Sequence, residues 1–487
     1  MKTDFDVVIV GAGINGAGIA RDAAMRGLRV LLIDKGDIAG GTSASSTRLI
    51  HGGLRYLEHL EFGLVRESLR ERETLLGIAP HLVRPLPITI PIYQKGRRGR
   101  ATIRVGMIVY DLLSWGKSLP RHRMQSVAET LRQMPGLNAE GLVGSAVYYD
   151  AQVEFAERLV VENVLAAVEH GATVLTYTRV KKLLSEGGVV RGVELDTDKR
   201  KEVRAKVVIN AAGPWVDQLQ NQKLIGGTKG SHVVVAPFAG APETAVYVEA
   251  VSDGRPFFII PWNRNYLIGT TDVRFEQDPD RVCSEPWEVD YLLSETNRAF
   301  PAAQLSSANV LYTYSGVRPL PFTRNQHEQS ITRRHFLREH RQFANLVSVV
   351  GGKLTTYRSL AEECVELVFQ KLGRKAPPCK TASVPLPGAN GSREKKITEL
   401  AKRLDTDPQT AEIVFAFQNE FATSLADCFL RRTMIGLNAD RGLGELEAAT
   451  EVGRRFLGWN GDRVRREVAN YRREISKMIC DGPHATK

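Results

Sequence analysis

The sequence has few cysteines, no long apolar run and no metal-binding motif, and each absence argues against a class of protein. Only 5 of the 487 residues are cysteines, they are widely spaced, and no C-x-x-C pair occurs. Neither a disulfide framework nor a cysteine zinc site is expected, and a reducing compartment is predicted. No H-E-x-x-H or D-x-D-x-D motif occurs, so no metal site is predicted. No run reaches the roughly 18 apolar residues of a membrane span, which predicts a soluble or surface-attached protein.

The composition that remains is that of an ordinary globular protein with a basic surface. Hydrophobic residues make up 43% and charged residues 25%, which argues against collagen-like and disordered chains. The length predicts two to four structural units with substantial cores. Lys and Arg number 66 against 55 acids, a net charge of +11. This excess favours anionic partners, which are phosphorylated metabolites, anionic lipid or nucleic acid.

The N-terminal residues form the pattern of a βαβ unit. An apolar strand leads into Gly11, Gly13 and Gly16, a helical stretch follows, and a second apolar strand ends in Asp34. Such glycines allow a tight turn, close approach of the backbone to a pyrophosphate, and close packing of helix on strand. The helix N-terminus favours the phosphates, and an acid at this distance accepts hydrogen bonds from ribose hydroxyls. The pattern predicts a dinucleotide site.

The fingerprint alone does not separate NAD from FAD, and the later chain bears on that choice. Two further glycine-ended strands are predicted, one ending at Gly213 and one at Gly352. A nicotinamide domain normally continues as regular βαβ repeats. This chain instead returns to its first domain after long excursions, which suits the extended FAD. Residues 230–320 alternate in short runs typical of an antiparallel sheet, residues 376–387 resemble a linker, and residues 394–480 are helical in pattern.

Three arginines and two histidines stand in unusual local sequence. Arg55, Arg318 and Arg333 lie among Gly, Pro, Tyr, Val and Thr, where a guanidinium can bind phosphate or carboxylate through two parallel hydrogen bonds. Most of the 66 basic residues are expected to be solvated surface. His51 and His232 stand in strand–loop contexts. Each is a candidate base, and a structural histidine bonded to a nearby carbonyl is the alternative.

Residues 95–123 form a basic and apolar patch. They hold eight Lys or Arg and a single acid, Asp111, interleaved with apolar residues that include Ile108, Leu112 and Trp115. A patch of this kind suits an anionic membrane surface. A solvated face over a core helix is the alternative reading.

Seven motifs, in order along the chain, closely resemble those of the FAD-dependent aerobic glycerol-3-phosphate dehydrogenases. They are Val8–Ala20, Ser46–Glu58, Asn210–Val216, Lys229–His232, Ile268–Asp272, Tyr314–Pro319 and Gly351–Arg358. The resemblance runs from residue 4 to about residue 372, and the C-terminal part is only loosely similar. One departure is Arg48, where relatives often carry Lys.

The resemblance implies an α/β fold with a glutathione-reductase-type, Rossmann-like FAD-binding domain and an antiparallel β-sheet substrate domain. It also implies a small C-terminal helical cap domain. The predicted ranges are 1–85, 145–225 and 340–375 for the FAD-binding domain, 86–144 and 226–339 for the substrate domain, and 388–487 for the cap domain. It also implies non-covalent FAD and oxidation of sn-glycerol 3-phosphate to dihydroxyacetone phosphate. A hydride would pass from C2 to flavin N5 and electrons would pass to a quinone. The protein is expected in the cytoplasm, peripherally associated with the inner face of the cell membrane. No nucleic-acid partner is expected, and a homodimer is possible.

The resemblance also implies roles for particular residues. Arg55, Arg333 and Lys353 would clamp the phosphate, with Thr271 as a further substrate-binding residue. Tyr56 and Arg318 would orient the reacting end, and His232 is the candidate base, with a water or His51 as alternatives. The implied cofactor-binding residues are Gly11, Gly13, Ile14, Asn15, Gly16, Asp34, Lys35, Thr42, Ser43, Ser46, Thr47, His51, Gly53, Val180, Gly213, Gly352, Lys353, Leu354 and Thr355.

Alternative functions remain at this point. An oxidase variant would pass electrons to O₂, and an amino-acid or sarcosine-type flavin oxidase of the same fold would bind a carboxylate. Three basic residues fit a dianionic phosphate better than a monoanion. A flavin-free nucleic-acid binder is the alternative suggested by charge alone.

Overall fold

The computed structural model describes residues 4–197, 201–220, 222–324 and 331–479. The strands are β1 (Asp4–Val10), β2 (Val30–Ile33), β3 (Leu49–Ile50), β4 (Val83–Tyr93), β5 (Arg123–Gln125), β6 (Leu142–Val153), β7 (Thr173–Leu175), β8 (Val180–Glu186), β9 (Val189–Leu195), β10 (Glu202–Asn210), β11 (Thr228–Val235), β12 (Ala245–Glu249), β13 (Pro256–Trp262), β14 (Asn265–Gly269), β15 (Val273–Arg274), β16 (Val310–Arg318), β17 (Phe336–His340) and β18 (Phe343–Val350). The helices are α1 (Ile14–Met25), α2 (Phe62–Ile78), α3 (Arg100–Leu113), α4 (Val127–Gln133), α5 (Ala156–Glu169), α6 (Pro286–Ala299), α7 (Tyr357–Lys371), α8 (Ser392–Leu404), α9 (Pro408–Asn419), α10 (Leu425–Asp427), α11 (Leu446–Leu457) and α12 (Gly461–Ser476).

The first sheet carries the predicted βαβ unit. Its strand order is β17-β18-β10-β1-β2-β7, and β8 and β9 extend from β10. Strands β18, β10, β1, β2 and β7 are mutually parallel. Their near-continuous apolar sequence is buried on both faces of the sheet. Val7 and Ile9 pack beneath α1, α5 and α7, and Val8 packs on the other face with residues of β9. The carboxyl ends of β1, β2, β10 and β18 therefore meet along one edge, where ligands of such sheets bind.

The second sheet is almost entirely antiparallel. Its order is β15-β11-β14-β13-β12-β4-β6-β3, with β16 on β11 and β5 on β6. The antiparallel sheet predicted for residues 230–320 is confirmed. It also includes β3 to β6 from earlier in the chain, and β12 pairs with β4 in parallel. The fold class predicted from the sequence is thus the one observed, with a parallel sheet, an antiparallel sheet and a helical C-terminal region.

The predicted domain ranges stay a prediction, and four strands cross them. Strand β3, residues 83–85 of β4 and residues 145–153 of β6 lie in ranges predicted for the FAD domain but pair within the second sheet. Strand β17 lies, except for His340, in the range predicted for substrate but pairs with β18 of the first sheet. Hydrogen-bonded pairing, not position along the chain, decides which sheet a strand joins. The sequence pattern therefore predicts that segments of the chain leave the first domain and return to it, but not the residues at which they do so.

Helices α8 to α12 form a C-terminal unit with an apolar core of its own, built around residues such as Leu400, Phe415 and Phe429. The unit packs against α5 and the first sheet's loops. Residues 480–487 of the predicted cap lie outside the described residues. No helix in the described ranges is both long enough and apolar enough to cross a bilayer.

Candidate active site

A cavity of about 1100 Å³ lies at the carboxyl edge of the first sheet and extends to β16 of the second. Most of the predicted cofactor-binding residues line it. They are Gly11, Gly13, Ile14, Asn15, Asp34, Lys35, Thr42, Ser43, Ser46, Val180, Gly213, Gly352, Lys353 and Leu354. Residues far apart in sequence therefore converge on one elongated site.

The glycine turn at the start of α1 has the form that a pyrophosphate requires. Gly11 has a φ of +107°, and a Cβ on Gly16 would lie 1.8 Å from the Gly11 carbonyl oxygen. Both glycines are therefore needed by the fold itself. A Cβ on Gly13 would meet only the Ser43 hydroxyl, at 3.3 Å. Gly13 thus leaves room at the cavity wall beside the N-terminus of α1, where the Ile14 amide donates to the Ser43 hydroxyl at 2.9 Å, and the residues fit the phosphates of a dinucleotide.

Asp34 stands at the end of β2, as predicted, and faces the cavity. Its carboxylate accepts hydrogen bonds from the amides of Ala12 at 2.6 Å and Gly36 at 2.8 Å. Burial raises the pKa of Asp34 and the two amides oppose that rise. The carboxylate is fixed in place and still open to a ribose.

The remaining predicted cofactor residues lie beside the cavity wall rather than on it. Gly16 packs beneath the glycine turn. Thr47 bonds to the imidazole of His232 at 2.9 Å, and the backbone amide of His51 donates to the Thr355 hydroxyl at 3.1 Å. Gly53 has a φ of +78°, and a Cβ there would overlap the Tyr56 ring. Direct contact of these residues with cofactor stays a prediction.

Three of the predicted substrate residues surround one carboxylate. Asp272 bridges Arg318 and Arg333. Its Oδ1 lies 3.0 Å from the Arg318 guanidinium, and its Oδ2 lies 3.0 Å from the Arg333 guanidinium. Burial raises the pKa of Asp272, but Arg318 and Arg333 outweigh burial and lower it, with a smaller contribution from Arg55. The structure therefore brings Arg55, Arg318 and Arg333 together as the sequence motifs imply.

Lys353 and Tyr56 complete this cluster. The ammonium of Lys353 lies 3.9 Å from the centre of the Tyr56 ring, a cation–π contact. Burial lowers the pKa of Lys353, Tyr56 and the carboxylates of Glu61 and Glu67 oppose the shift, and Arg333 lowers the pKa further. Burial likewise lowers the pKa of Arg318, Asp272 opposes the shift, and Arg333 and Arg55 add to the lowering. The partly buried cations lie close together here, which suits an anion.

Both candidate bases are neutral. Burial lowers the pKa of His232 well below its usual value, and Arg318 and Arg48 add to the effect. Burial lowers the pKa of His51 to about 4, and Lys353 contributes. The His232 ring stacks on Tyr314 at 4.8 Å, and within the described residues its Nδ1 has no hydrogen-bond partner.

The predicted contact of Thr271 with substrate stays a prediction, and the structure gives its hydroxyl two other partners. Its hydroxyl donates to Glu288 at 2.7 Å and accepts from the Ser231 amide at 2.9 Å, and the residue is 2% exposed. Its carbonyl oxygen accepts from Arg318 at 3.3 Å. These contacts orient Arg318, so a hydroxyl contact between Thr271 and substrate would have to compete with Glu288.

Sequence reasoning missed the acids that hold the site. Asp272 ends one of the seven motifs, and its place three residues after the glycine-ended strand β14 was a usable signal. Asp150 accepts from Arg72 at 2.7 Å and from Tyr110 at 2.8 Å, and it fixes the turn that carries His51. Nothing in its local sequence marked it.

The departure at Arg48 has a structural explanation. Its guanidinium is buried and pairs with both oxygens of Glu157 at 2.7 and 2.8 Å. It also lies 4.4 Å from the Trp262 ring. Arg48 thereby anchors the loop that carries Thr47 behind His232, a bidentate and stacked contact that Lys would not reproduce.

Comparisons with known proteins agree with this geometry. The family model described as FAD dependent oxidoreductase matches residues 6–361. A glycerol-3-phosphate dehydrogenase of Synechocystis is 45% identical, covering 98% of this chain and 97% of the relative.

Solved structures share the fold. The glycerol-3-phosphate dehydrogenase of Bacillus halodurans, solved with FAD, is 27% identical with a TM-score of 0.79, covering 100% of this chain and 97% of that one. The L-α-glycerophosphate oxidase of Mycoplasma pneumoniae, solved with FAD, has a TM-score of 0.61 at 20% identity, covering 79% and 99%. This chain belongs to the FAD-dependent glycerol-3-phosphate dehydrogenase family, within the wider FAD-dependent oxidoreductases.

Proposed function

We propose that this enzyme oxidises sn-glycerol 3-phosphate to dihydroxyacetone phosphate and passes the electrons to a quinone. The observation that carries the proposal is the convergence of four cations beside the FAD cavity, Arg55, Arg318 and Arg333 near Asp272 and Lys353 next to them. A phosphate carries close to two negative charges at neutral pH, and several cations compensate it where one would not. The proposal makes the phosphate, not the glycerol, the main source of binding energy.

Within the cluster the residues divide into two roles. Arg55, Arg333 and Lys353 bind the phosphate, and Arg333 offers the planar pair of donors that matches its oxygens. Arg318 and Tyr56 face the reacting carbon, where Arg318 stabilises charge on the developing carbonyl oxygen. Fixing both ends of the substrate makes the reaction effectively unimolecular. The FAD that the glycine turn and Asp34 would hold would supply the two-electron oxidation at C2.

His232 removes the proton of the C2 hydroxyl in this proposal. Its imidazole is neutral because burial lowers its pKa, and a neutral ring can accept a proton. The Thr47 hydroxyl at 2.9 Å holds Nε2. Nδ1, which lacks a partner in the described residues, is the atom left to accept.

The proposed enzyme works at an anionic membrane surface on the cytoplasmic side. On α3, Ile103, Met107 and Tyr110 face the core. The opposite side exposes apolar residues that a solvated face would not carry: Val105, Ile108 and Leu112 on the helix and Trp115 just after it. Leu60 is also exposed and directly follows the turn Leu54–His59, which contacts α3. Exposed Arg97, Arg100 and Arg104 accompany them. Apolar insertion and attraction to anionic lipid together support peripheral attachment.

The experiment that tests the proposal measures both acceptors with one substrate. Purified holoenzyme is given sn-glycerol 3-phosphate with a soluble quinone analogue under argon, and separately with O₂ alone. The proposal predicts rapid quinone reduction and little peroxide. Peroxide release at the rate of substrate oxidation would identify an oxidase, and no turnover with either acceptor would contradict the substrate.

A further inference from the structure

We infer that the C-terminal helical unit is part of the FAD site. In this inference α12 closes the adenosine end of the cavity, and a buried clamp centred on Asp37 holds the loop that follows Asp34. The inference depends on the FAD assignment and not on the proposed substrate or electron acceptor. It gives the cap a binding role for the adenosine half of the dinucleotide.

The first observation is the face that α12 presents to the cavity. Its cavity-lining residues are spaced four, three, four and three apart, which places them on one side of a helix. They are Arg463, Glu467, Asn470, Glu474 and Lys477, and Arg473 lines the cavity beside them. Thr423, Ser424 and Ala426 of the same unit also line it. A polar helix face directed at a cavity wall is suited to a polar ligand.

The second observation is the clamp between this unit and the cofactor-binding loop. The carboxylate of Asp37 pairs with Arg432 at 2.6 and 2.8 Å and with Arg431 at 2.5 Å. Asp37 and Arg432 are almost completely buried. Arg432 also donates from Nε to the Glu420 carbonyl oxygen at 2.6 Å. Asp37 lies three residues after Asp34, so the clamp fixes the turn that carries the predicted ribose ligand.

A third set of contacts joins the same turn from the other side. The Tyr177 amide donates to the Gly36 carbonyl oxygen at 2.9 Å, and the Thr178 amide donates to that of Asp34 at 2.8 Å. The Tyr177 hydroxyl donates to Asp427 of the C-terminal unit at 2.5 Å. The loop that holds Asp34 is thus tied to the C-terminal unit through two separate routes.

These contacts couple the C-terminal unit to one half of the cofactor. Whatever loosens the clamp frees the loop that holds Asp34, and the adenosine half of FAD is then held less firmly. FMN lacks that half and does not depend on the clamp. The preference for FAD over FMN therefore measures the coupling separately from the general strength of flavin binding.

The test uses the holoenzyme and its flavin-free form. Asp37→Asn keeps the side-chain shape and removes the charge that both arginines neutralise, and we expect release of FAD to accelerate about tenfold or more. Release is followed by the fluorescence of free FAD after dilution. Binding of FAD and of FMN to the flavin-free form gives the preference, which we expect to fall by the same factor while FMN binding is unchanged.

A second variant and a control keep the test decisive if Asp37→Asn fails to fold. Arg473→Gln changes only the cavity-facing side of α12 and should accelerate FAD release about two- to fivefold. Arg465→Gln lies on the same helix outside the cavity, with 76% of its side chain exposed, and should match the parent enzyme. Release rates of both test variants within twofold of this control would overturn the inference, as would equal loss of FAD and FMN.

Discussion

Two buried aspartates in this enzyme each bridge two arginines, and only one of the two groups has the electrostatics of a binding site. Asp272 joins Arg318 and Arg333, and Arg55 and Lys353 stand in the same field. Burial lowers the pKa of Arg318, Asp272 opposes that shift, and the neighbouring guanidinium of Arg333 lowers the pKa again. Four cations thus lie together near Asp272, an arrangement that suits an anion.

Around Asp37 the charges balance instead. Arg431 and Arg432 face Asp37, and Arg431 also pairs with Asp427 at 2.8 Å. Burial lowers the pKa of Arg431, but the two aspartates outweigh burial and raise it. The number of cations gathered around the acid, not the arginine–aspartate pairing itself, therefore distinguishes the proposed substrate site from the clamp at Asp37.

The largest effect is expected where the charges balance. Arg432→Ala would leave Asp37 buried with only part of its compensation, which costs about 3–5 kcal/mol of unfolding free energy. Urea unfolding followed by circular dichroism measures it. Arg454→Ala, in an exposed pair with Glu451, is the matched control and should cost less than about 1 kcal/mol. Equal losses in the two variants would show that the Asp37 clamp carries no special stability.

The next effect concerns the reacting end of the substrate cluster. Arg318→Ala removes the cation proposed to stabilise the developing carbonyl oxygen, and kcat should fall about 10²- to 10³-fold. Flavin content and absorbance should stay normal, because Arg318 lies outside the lining of the FAD cavity. Steady-state rates at saturating substrate measure the loss. A fall of less than about fivefold would remove Arg318 from the chemistry.

The phosphate end should respond more weakly and more selectively. Arg333→Ala loses charge and paired hydrogen bonds, about 1.5–3 kcal/mol, or roughly 10- to 150-fold in kcat/KM. Arg333→Lys keeps the charge and should recover part of it. Rates with sn-glycerol 3-phosphate and with glycerol decide the role. Loss by the same factor for both substrates would show that Arg333 does not bind phosphate.

A smaller effect follows from the neutral histidine near Lys353. The pKa of His51 is about 4 when folded, against about 6.5 when unfolded. Its stabilising contribution is complete above pH 6.5 and is lost as the pH falls towards 4, because the unfolded chain takes up the proton first. The loss is at most about 1.4 kcal/mol per pH unit. Between pH 7.5 and pH 5, the unfolding free energy of the parent should fall by more than that of His51→Asn. An equal fall in the two proteins would refute this role of His51.

The smallest effect per residue is expected at the patch of residues 95–123, which we propose faces the membrane. Arg97→Gln and Arg104→Gln should each weaken binding to anionic vesicles by about 1 kcal/mol, and binding should fall with salt. Co-sedimentation with anionic and with zwitterionic vesicles measures it, and Arg465→Gln controls for net charge. Vesicle binding that does not change with lipid charge, with salt or with either substitution would contradict the proposed attachment.

The sequence predicted those parts of the site that depend on local pattern. The turn at Gly11 and the acid at Asp34 follow from chain geometry within one βαβ unit. The arginines were recognisable because Gly, Pro and Tyr surround them. Pattern could also predict that residues 230–320 form an antiparallel sheet.

The parts that the sequence did not reveal depend on contacts between distant segments. Asp37 and Arg432 are separated by 395 positions, and Asp150 reaches the turn of His51 from β6. No local pattern records such a pair, because burial and partner are set by tertiary packing. The polar face of α12 likewise has an ordinary amphipathic sequence and acquires its meaning only beside the cavity.

The most direct test of the central claim is anaerobic reduction of the bound flavin by substrate. Holoenzyme is mixed under argon with sn-glycerol 3-phosphate, with glycerol, or with glycerol plus inorganic phosphate, and the flavin absorbance is followed. Binding energy from the phosphate end contributes to the rate at the reacting carbon, so the account predicts fast bleaching with sn-glycerol 3-phosphate and far slower bleaching with either glycerol mixture. Equal bleaching by glycerol, or none by sn-glycerol 3-phosphate, would contradict it.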